Sequence, residues 1–403
     1  MNPLLISGFG TSINVEKRKL IINNKLNNKK YEFYPHKIDY DNIILDNHSG
    51  FITFDGMKWL MKHNISLTIL NWNGNILGIT LPEEPISGKL KIKQYQTYLS
   101  NNKRYDISEK LVFSKIDSSL NLLEELSNFY LIDIKNIKII FDKEKYDFIK
   151  NKSENNITNL LAYEGRVAQA YFASLGTIFR QIAPEFGYSG RKIKENAKNY
   201  NAPDEINALL NYGYSILESE IRKILNSQGL DPEIGFLHEV SPSKTPLVYD
   251  IMELFRWIVD LSVIQLLEST PKIKKTDFII TENYHIRLKD SIASLLINKI
   301  KDNFKIKAPY KGKNYYYDII LSDNISKLSL FISEKNKNII FDIPNLSFKR
   351  NDYLSLKEKI LKMTPEQRKK LGINKSTLFY MKKNLQNDKS IKIYDKTLSK
   401  LND

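Results

Sequence analysis

Four side chains stand where simple folding rules would not put them. Glu164 lies in "NLLAYEGRVAQAYFASLG", where Leu161, Glu164, Ala168, Tyr171 and Leu175 fall on one face of a helix. A carboxylate on an apolar stripe costs several kcal/mol, roughly, unless it meets a cation, a metal or solvent. A salt bridge to Arg166 or to a distant lysine answers that need as well as a metal does. Asp250 and Glu253 repeat the anomaly in "PLVYDIMELFR", where Leu247, Asp250, Leu254 and Trp257 share a face. Two carboxylates that close repel each other unless something positive lies between them. Arg256 could pair with Glu253; a divalent metal is the sharper answer. His238, one of only five histidines, precedes them in "IGFLHEV". A lone histidine is as readily a structural residue as a ligand. Carboxylate oxygens suit Mg²⁺ or Mn²⁺, and a histidine nitrogen tilts the choice toward Mn²⁺.

The elements that must carry these residues change in texture along the chain. Residues 1–85 read as β-rich: "PLLISGF", "KLIINN", "KYEFYP" and "NIILD" are short apolar or alternating runs between turn residues. One helix, "DGMKWLMKHN", interrupts them, with Asp55 as its expected N-cap. Asn73-Gly74 marks a hairpin between "ISLTIL" and "ILGITL". "PEEP" at 82–85 reads as a linker. From there to residue 345 the pattern is helical. "EINALLNYGYSILESEIRKIL" carries an apolar stripe, with Pro203 suited to its start and Gly229 to its exit. The run Pro246 to Glu268 is apolar on nearly all sides and reads as one central buried helix. Residues 350–403 change again. Thr364 as N-cap and Pro365 at the first helical position begin a short helix; Gly372 turns it, and Lys375 to Leu385 forms a second. That spacing matches a helix-turn-helix, with Asn374, Lys375, Ser376, Lys382 and Lys383 on the second helix. A plain helical hairpin has the same spacing. The fold class expected is therefore α+β and multidomain: a small β-rich N-terminal domain, a larger all-α domain holding the site, and a helix-turn-helix tail.

Composition narrows the chemistry. At 403 residues, two or three domains are expected. The net charge of +15 favours a polyanionic partner, nucleic acid first, although a lysine- and asparagine-rich chain also follows from AT-rich coding. With no cysteine there are no disulfides, thiolate nucleophiles or cysteine-held zinc, which fits a reducing cytoplasm. "MNPLLISGFGTSINV" lacks the pattern of a secretory signal, and no apolar run is long enough to span a membrane. There is no P-loop, HExxH or GxSxG.

Taken in order, "YEGRVAQAYF", "NALLNYGYSILESEIRKILNSQGLDPEIGFLHE" and "LVYDIMELFR" resemble the three signature segments of the CRISPR-associated integrase that acquires spacers. The resemblance covers roughly residues 1–345. The tail, the opening "MNPLLISGFG" and "KHNISLTILNWNG" are similar to the casposon integrases, or casposases, a sister group with a C-terminal helix-turn-helix. The resemblance implies DNA strand transfer, in which a donor 3′-hydroxyl attacks a target phosphodiester, with Mn²⁺ or Mg²⁺ held by Glu164, His238, Asp250 and Glu253. The second acid is aspartate in many members; the longer arm of Glu253 leaves direct or water-mediated ligation open. Arg166 and Lys244 near the site, and Lys375 and Lys382 on the tail, are candidates for phosphate contact. Expected partners are double-stranded DNA, a second copy of the chain through the β-rich domain, higher assembly on DNA and, in a CRISPR system, the small companion subunit. A non-catalytic helix-turn-helix protein and a simple metal-dependent nuclease are the alternatives.

Overall fold

In the computed structural model, the described residues are 1–25, 28–71, 74–83, 85, 88–150, 156–191, 202–242, 244–269, 271–281, 286–344 and 360–386; the side chains of residues 47 and 48 are not described. They divide into two compact units: Met1–Leu111 with Lys198–Ile343, and Val112–Ala197 with Pro344–Asp403.

The first unit begins with a six-stranded sheet. Its strands are β1 (Pro3–Glu16), β2 (Lys19–Asn24), β3 (Lys29–Phe33), β4 (Asn42–Ile52), β5 (Ser66–Leu70) and β6 (Ile76–Thr80). The spatial order is β3-β2-β1-β4-β5-β6. β1 runs parallel to β4 and β4 parallel to β5, while the remaining pairs are antiparallel. Alternation drives the sheet: Leu4, Ile6, Ile13, Leu20, Ile22, Ile43 and Leu67 point into one core, closed by Trp59 and Leu60 of α1 (Phe54–Lys62). β1 slips register around Phe9, where Gly8 and Gly10 take φ of 100° and 71°, a bulge that a side chain would resist. The β5–β6 hairpin forms where Asn-Gly announces it. The cap of α1 differs from expectation. Thr53, not Asp55, has the extended backbone, and its hydroxyl accepts from the Gly56 N–H at 3.1 Å.

The same unit holds α2 (Gly88–Leu99), the start of α3 (Asn101–Ser127), α6 (Glu205–Gln228), α7 (Pro246–Met252), α8 (Arg256–Leu267), α9 (Asp290–Phe304) and α10 (Tyr317–Ile332). α6 is its axis. Asp204 caps it, with Pro203 just outside, and Gly229 ends it in the left-handed region at φ 70°. Gly213 lets α8 approach: a Cβ there would lie 2.5 Å from Val259 Cγ1. The helical region is not wholly α. β7 (Phe278–Ile280) pairs with β8 (Ile286–Leu288), and β9 (Lys307–Tyr310) with β10 (Lys313–Tyr316). The second pair is joined by Lys311 and Gly312, both at positive φ (47° and 78°), as a tight hairpin requires. The expected single helix from Pro246 to Glu268 is two helices, broken at Glu253–Phe255. No glycine or proline marks the break. Phe255, at φ −128° and ψ 3°, leaves helical geometry while its ring stays fully buried and stacks on Phe304.

The second unit contains the rest of α3, α4 (Ile134–Lys150), α5 (Ile157–Ile182) and the tail. α5 buries Leu160, Tyr163, Val167, Tyr171, Leu175 and Ile178, so Glu164 borders the buried stripe and does not lie within it. In the tail, helices Pro365–Lys370 and Lys375–Gln386 join through Gly372. Thr364 forms a capping box with Gln367, and Ile360, Met363, Ile373, Leu378, Met381 and Leu385 make a small core of their own.

Candidate active site

His238 sits on an irregular segment between α6 and α7 that has little backbone partner of its own. Side chains supply the pairing instead. The Asp250 carboxylate, fully buried on α7, accepts three successive N–H groups. Oδ2 takes Phe236 at 2.5 Å and Leu237 at 3.0 Å, and Oδ1 takes His238 at 3.0 Å. Oδ1 also meets His238 Nδ1 at 2.7 Å. A buried carboxylate needs several hydrogen bonds to be tolerated, and this one has four. Gly235 makes room for it, since a Cβ there would lie 2.8 Å from Asp250 Oδ2 and 2.7 Å from the Pro246 carbonyl carbon.

Two further side chains brace the segment from α2 and α3. Gln94, completely buried, donates to the carbonyls of Asp231 (2.8 Å) and Ile234 (2.9 Å) and accepts the Asp231 N–H (2.9 Å). Arg104 Nε donates to the Phe236 carbonyl at 2.8 Å, and its other arm pairs with Glu239 at 2.8 Å. Neither residue was visible in the sequence as part of a site, because their partners are backbone groups that every residue type carries. The glycine three positions before the histidine was the one readable signal.

The imidazole is thereby fixed with Nδ1 toward Asp250 and Nε2 available, and the side chain is 37% exposed. Burial disfavours its charged form. The hydrogen bond and charge of Asp250, helped by the Glu253 charge, outweigh burial and the opposing Arg256, so the His238 pKa lies above its ordinary value. Glu253 occupies the break after α7. Its side chain is 5% exposed, and Oε1 lies 3.1 Å from the Arg256 guanidinium, the pairing the spacing allowed. Arg256 in turn lies 5.0 Å over the Tyr214 ring, whose hydroxyl donates to Asp260 at 2.5 Å.

The structure thus brings together His238 and Asp250, with Glu253 within electrostatic reach. Glu164 is described in the other unit, where its partner is Lys115 of α3. Arg166 pairs instead with Glu144 at 2.5 Å. Among the described residues, no group of three or more histidine, cysteine, aspartate or glutamate side chains is close enough to hold an ion. Lys244 and Lys375 are exposed, whereas Lys382 Nζ donates to the Met363 carbonyl at 2.9 Å.

With this geometry in hand, comparison with known proteins is direct. The profile described as "CRISPR associated protein Cas1" matches residues 4–302. The chain belongs to the Cas1 family. Curated Cas1 relatives include CRISPR-associated endonuclease Cas1 1 of Archaeoglobus fulgidus, 27% identical over 79% of this chain and 92% of the relative. A second, CRISPR-associated endonuclease Cas1 1 of Francisella tularensis subsp. novicida, is 28% identical over 82% and 95%. Among solved structures, a casposase bound to integration product is 33% identical over 90% of this chain and 99% of its own, with a TM-score of 0.77. A Cas1 protein from Thermotoga maritima shares the fold at 18% identity, with a TM-score of 0.68 over 85% of this chain and 99% of its own. The mixed α+β fold, a β-sheet followed by a helical region, is thus that of Cas1 and casposase, and the family is one of nucleases and integrases. No helix of the described residues is long and apolar enough to cross a membrane.

Proposed function

We propose that this Cas1-family chain is a metal-dependent DNA integrase that joins a donor 3′-hydroxyl to target DNA by transesterification, with nicking as its hydrolytic side activity. The carrying observation is the His238 imidazole, held on a buried carboxylate so that Nε2 faces outward, within a segment matching the family. A carboxylate behind a histidine is the usual support of a metal ligand. The donor set fits a hard divalent ion: Nε2 of His238 with carboxylate oxygens of Glu253 and Glu164, for Mn²⁺ or Mg²⁺. Asp250 fits that set less well as a direct ligand, because both its oxygens already accept two bonds each. Its role here is to hold the tautomer and the aim of His238.

A bound divalent ion polarises a phosphoryl oxygen and stabilises charge in an in-line displacement. The chain's residues contribute positioning. Asp250 keeps the Nδ1 proton and leaves the Nε2 lone pair free. Arg256 holds one oxygen of Glu253 and fixes the direction of its carboxylate. In the joining step the donor 3′ oxygen forms the new P–O bond, the target's P–O3′ bond breaks, and the departing oxygen takes a proton. No nucleophile from the protein is required.

DNA is the substrate that a +15 chain favours. Lys244 is exposed beside the histidine segment, and the second tail helix exposes Asn374, Lys375 and Ser376, as a helix-turn-helix reader would. Phe9, Phe51 and Phe54, exposed by 54%, 66% and 83% at one end of the sheet, support a homodimer through this region. The small companion subunit is a partner if the donor is a CRISPR spacer, and a transposon end makes the chain a casposon integrase. The test is to incubate the protein with Mn²⁺, a labelled short duplex and supercoiled plasmid. Label entering the plasmid, and lost in His238→Ala and Glu253→Gln, is the expected result. Cleavage without joining would favour a simple nuclease. Full activity in both variants would sink the proposal.

A further inference from the structure

We propose that Lys115 is the counter-ion of Glu164 that a metal ion must displace, and that the ammonium so released takes a phosphate of the DNA. This rests on the reading of Glu164 as a metal carboxylate. The pair joins two long helices: Lys115 lies on α3 and Glu164 on α5, 49 residues later, and Lys115 Nζ donates to Glu164 Oε1. The two side chains are 17% and 18% exposed. A carboxylate this enclosed needs a cation to remain ionised. Arg166, the nearest basic residue in sequence, is taken by Glu144 on α4. The charge on Glu164 is therefore balanced by Lys115.

A divalent ion and an ammonium cannot share one carboxylate cheaply, since two cations a few ångströms apart repel strongly wherever water is scarce. The residue type matters at this point. An arginine would grip the carboxylate with a planar fork, whereas lysine is a point charge on a flexible stem and can change partner. Once displaced, its closest new anion is the one delivered with the reaction, a phosphodiester of the bound DNA. The same positive charge thus opposes metal binding in the absence of DNA and supports the phosphate in its presence.

The experiment titrates Mn²⁺ into the full chain by electron paramagnetic resonance, without DNA, for the parent, Lys115→Met, Lys115→Arg and Glu164→Gln. Lys115→Met is expected to bind Mn²⁺ roughly tenfold more tightly, the size of effect a neighbouring charge exerts on an ionisable site. Lys115→Arg should bind as the parent does or more weakly. At saturating Mn²⁺, Lys115→Met should join donor to plasmid at least roughly tenfold more slowly, as when one transition-state contact is removed. Unchanged or weaker Mn²⁺ binding in Lys115→Met overturns the counter-ion role, and undiminished joining at saturating Mn²⁺ overturns the phosphate role. Parent-like Mn²⁺ binding by Glu164→Gln would instead overturn the metal reading of Glu164 itself. Lys115→Gln serves the same comparison if the methionine variant does not fold.

Discussion

Replacing Asp250 by asparagine removes one acceptor oxygen and leaves the shape almost unchanged. In the parent, Oδ2 serves the Phe236 and Leu237 N–H groups, and Oδ1 serves the His238 N–H and Nδ1. Asparagine can satisfy one of these two pairs. Whichever it chooses, its NH₂ faces two donors inside a fully buried site. Two hydrogen bonds to a charged acceptor at about 1.5–3 kcal/mol each give a loss of about 4 kcal/mol. For a unit of this size, each kcal/mol moves the melting temperature by about 2–3 °C, so the midpoint should fall by about 10 °C. Glu253→Gln is the comparison. Glu253 borders a turn and engages Arg256 from one oxygen, so its loss should cost only about 1 kcal/mol. Calorimetry measures both. Nitrogen-detected NMR of the imidazole adds a local readout: without the Asp250 charge, the His238 pKa should fall from its raised position. A melting point within about 1 °C of the parent together with an unmoved His238 pKa would refute the idea that Asp250 holds the histidine segment.

The same geometry makes further predictions. Gln94→Ala removes three hydrogen bonds from a buried site and should cost about 3–4 kcal/mol, with amide exchange accelerating at Asp231 and in the segment up to His238. Gly235→Ala places a methyl against the Pro246 backbone and the Asp250 carboxylate, and should destabilise by about 3 kcal/mol or more, seen as a lower urea midpoint. The folded His238 pKa is raised, so its contribution to stability is complete below the unfolded value of about 6.5 and is lost as pH rises through the folded value. A melting temperature that falls between about pH 6 and pH 8 in the parent, and falls less in His238→Gln, is the expected pattern. Equal slopes in both proteins would contradict it.

Local chemistry was legible in the sequence and pairing at a distance was not. Asn73-Gly74 announced a hairpin, Gly229 a helix end, and Thr364-Pro365 a capped start, because each signal is a residue's own backbone preference. The three site segments were readable as anomalies, since a carboxylate beside apolar residues demands a partner. The partners' identities were not readable. Lys115 for Glu164 lies on another helix, and Asp250 satisfies backbone amides that have no signature. The break at Glu253–Phe255 escaped for a related reason. An all-apolar run offers no periodicity to interrupt, so tertiary packing alone decides where it bends. The parallel β1–β4 pairing likewise depends on which strand edges meet after the chain has returned.

The segment carrying His238 has consequences for anyone who would move this chemistry to another protein. Its shape is dictated by Gln94, Arg104 and Asp250, which come from three different helices, and not by any propensity within "DPEIGFLH". Copied alone, the peptide would be a floppy ribbon with a histidine on it. The portable module is the scaffold that grips the peptide, so variation that looks neutral on α2 or α3 can retune a reaction whose reacting groups it never touches.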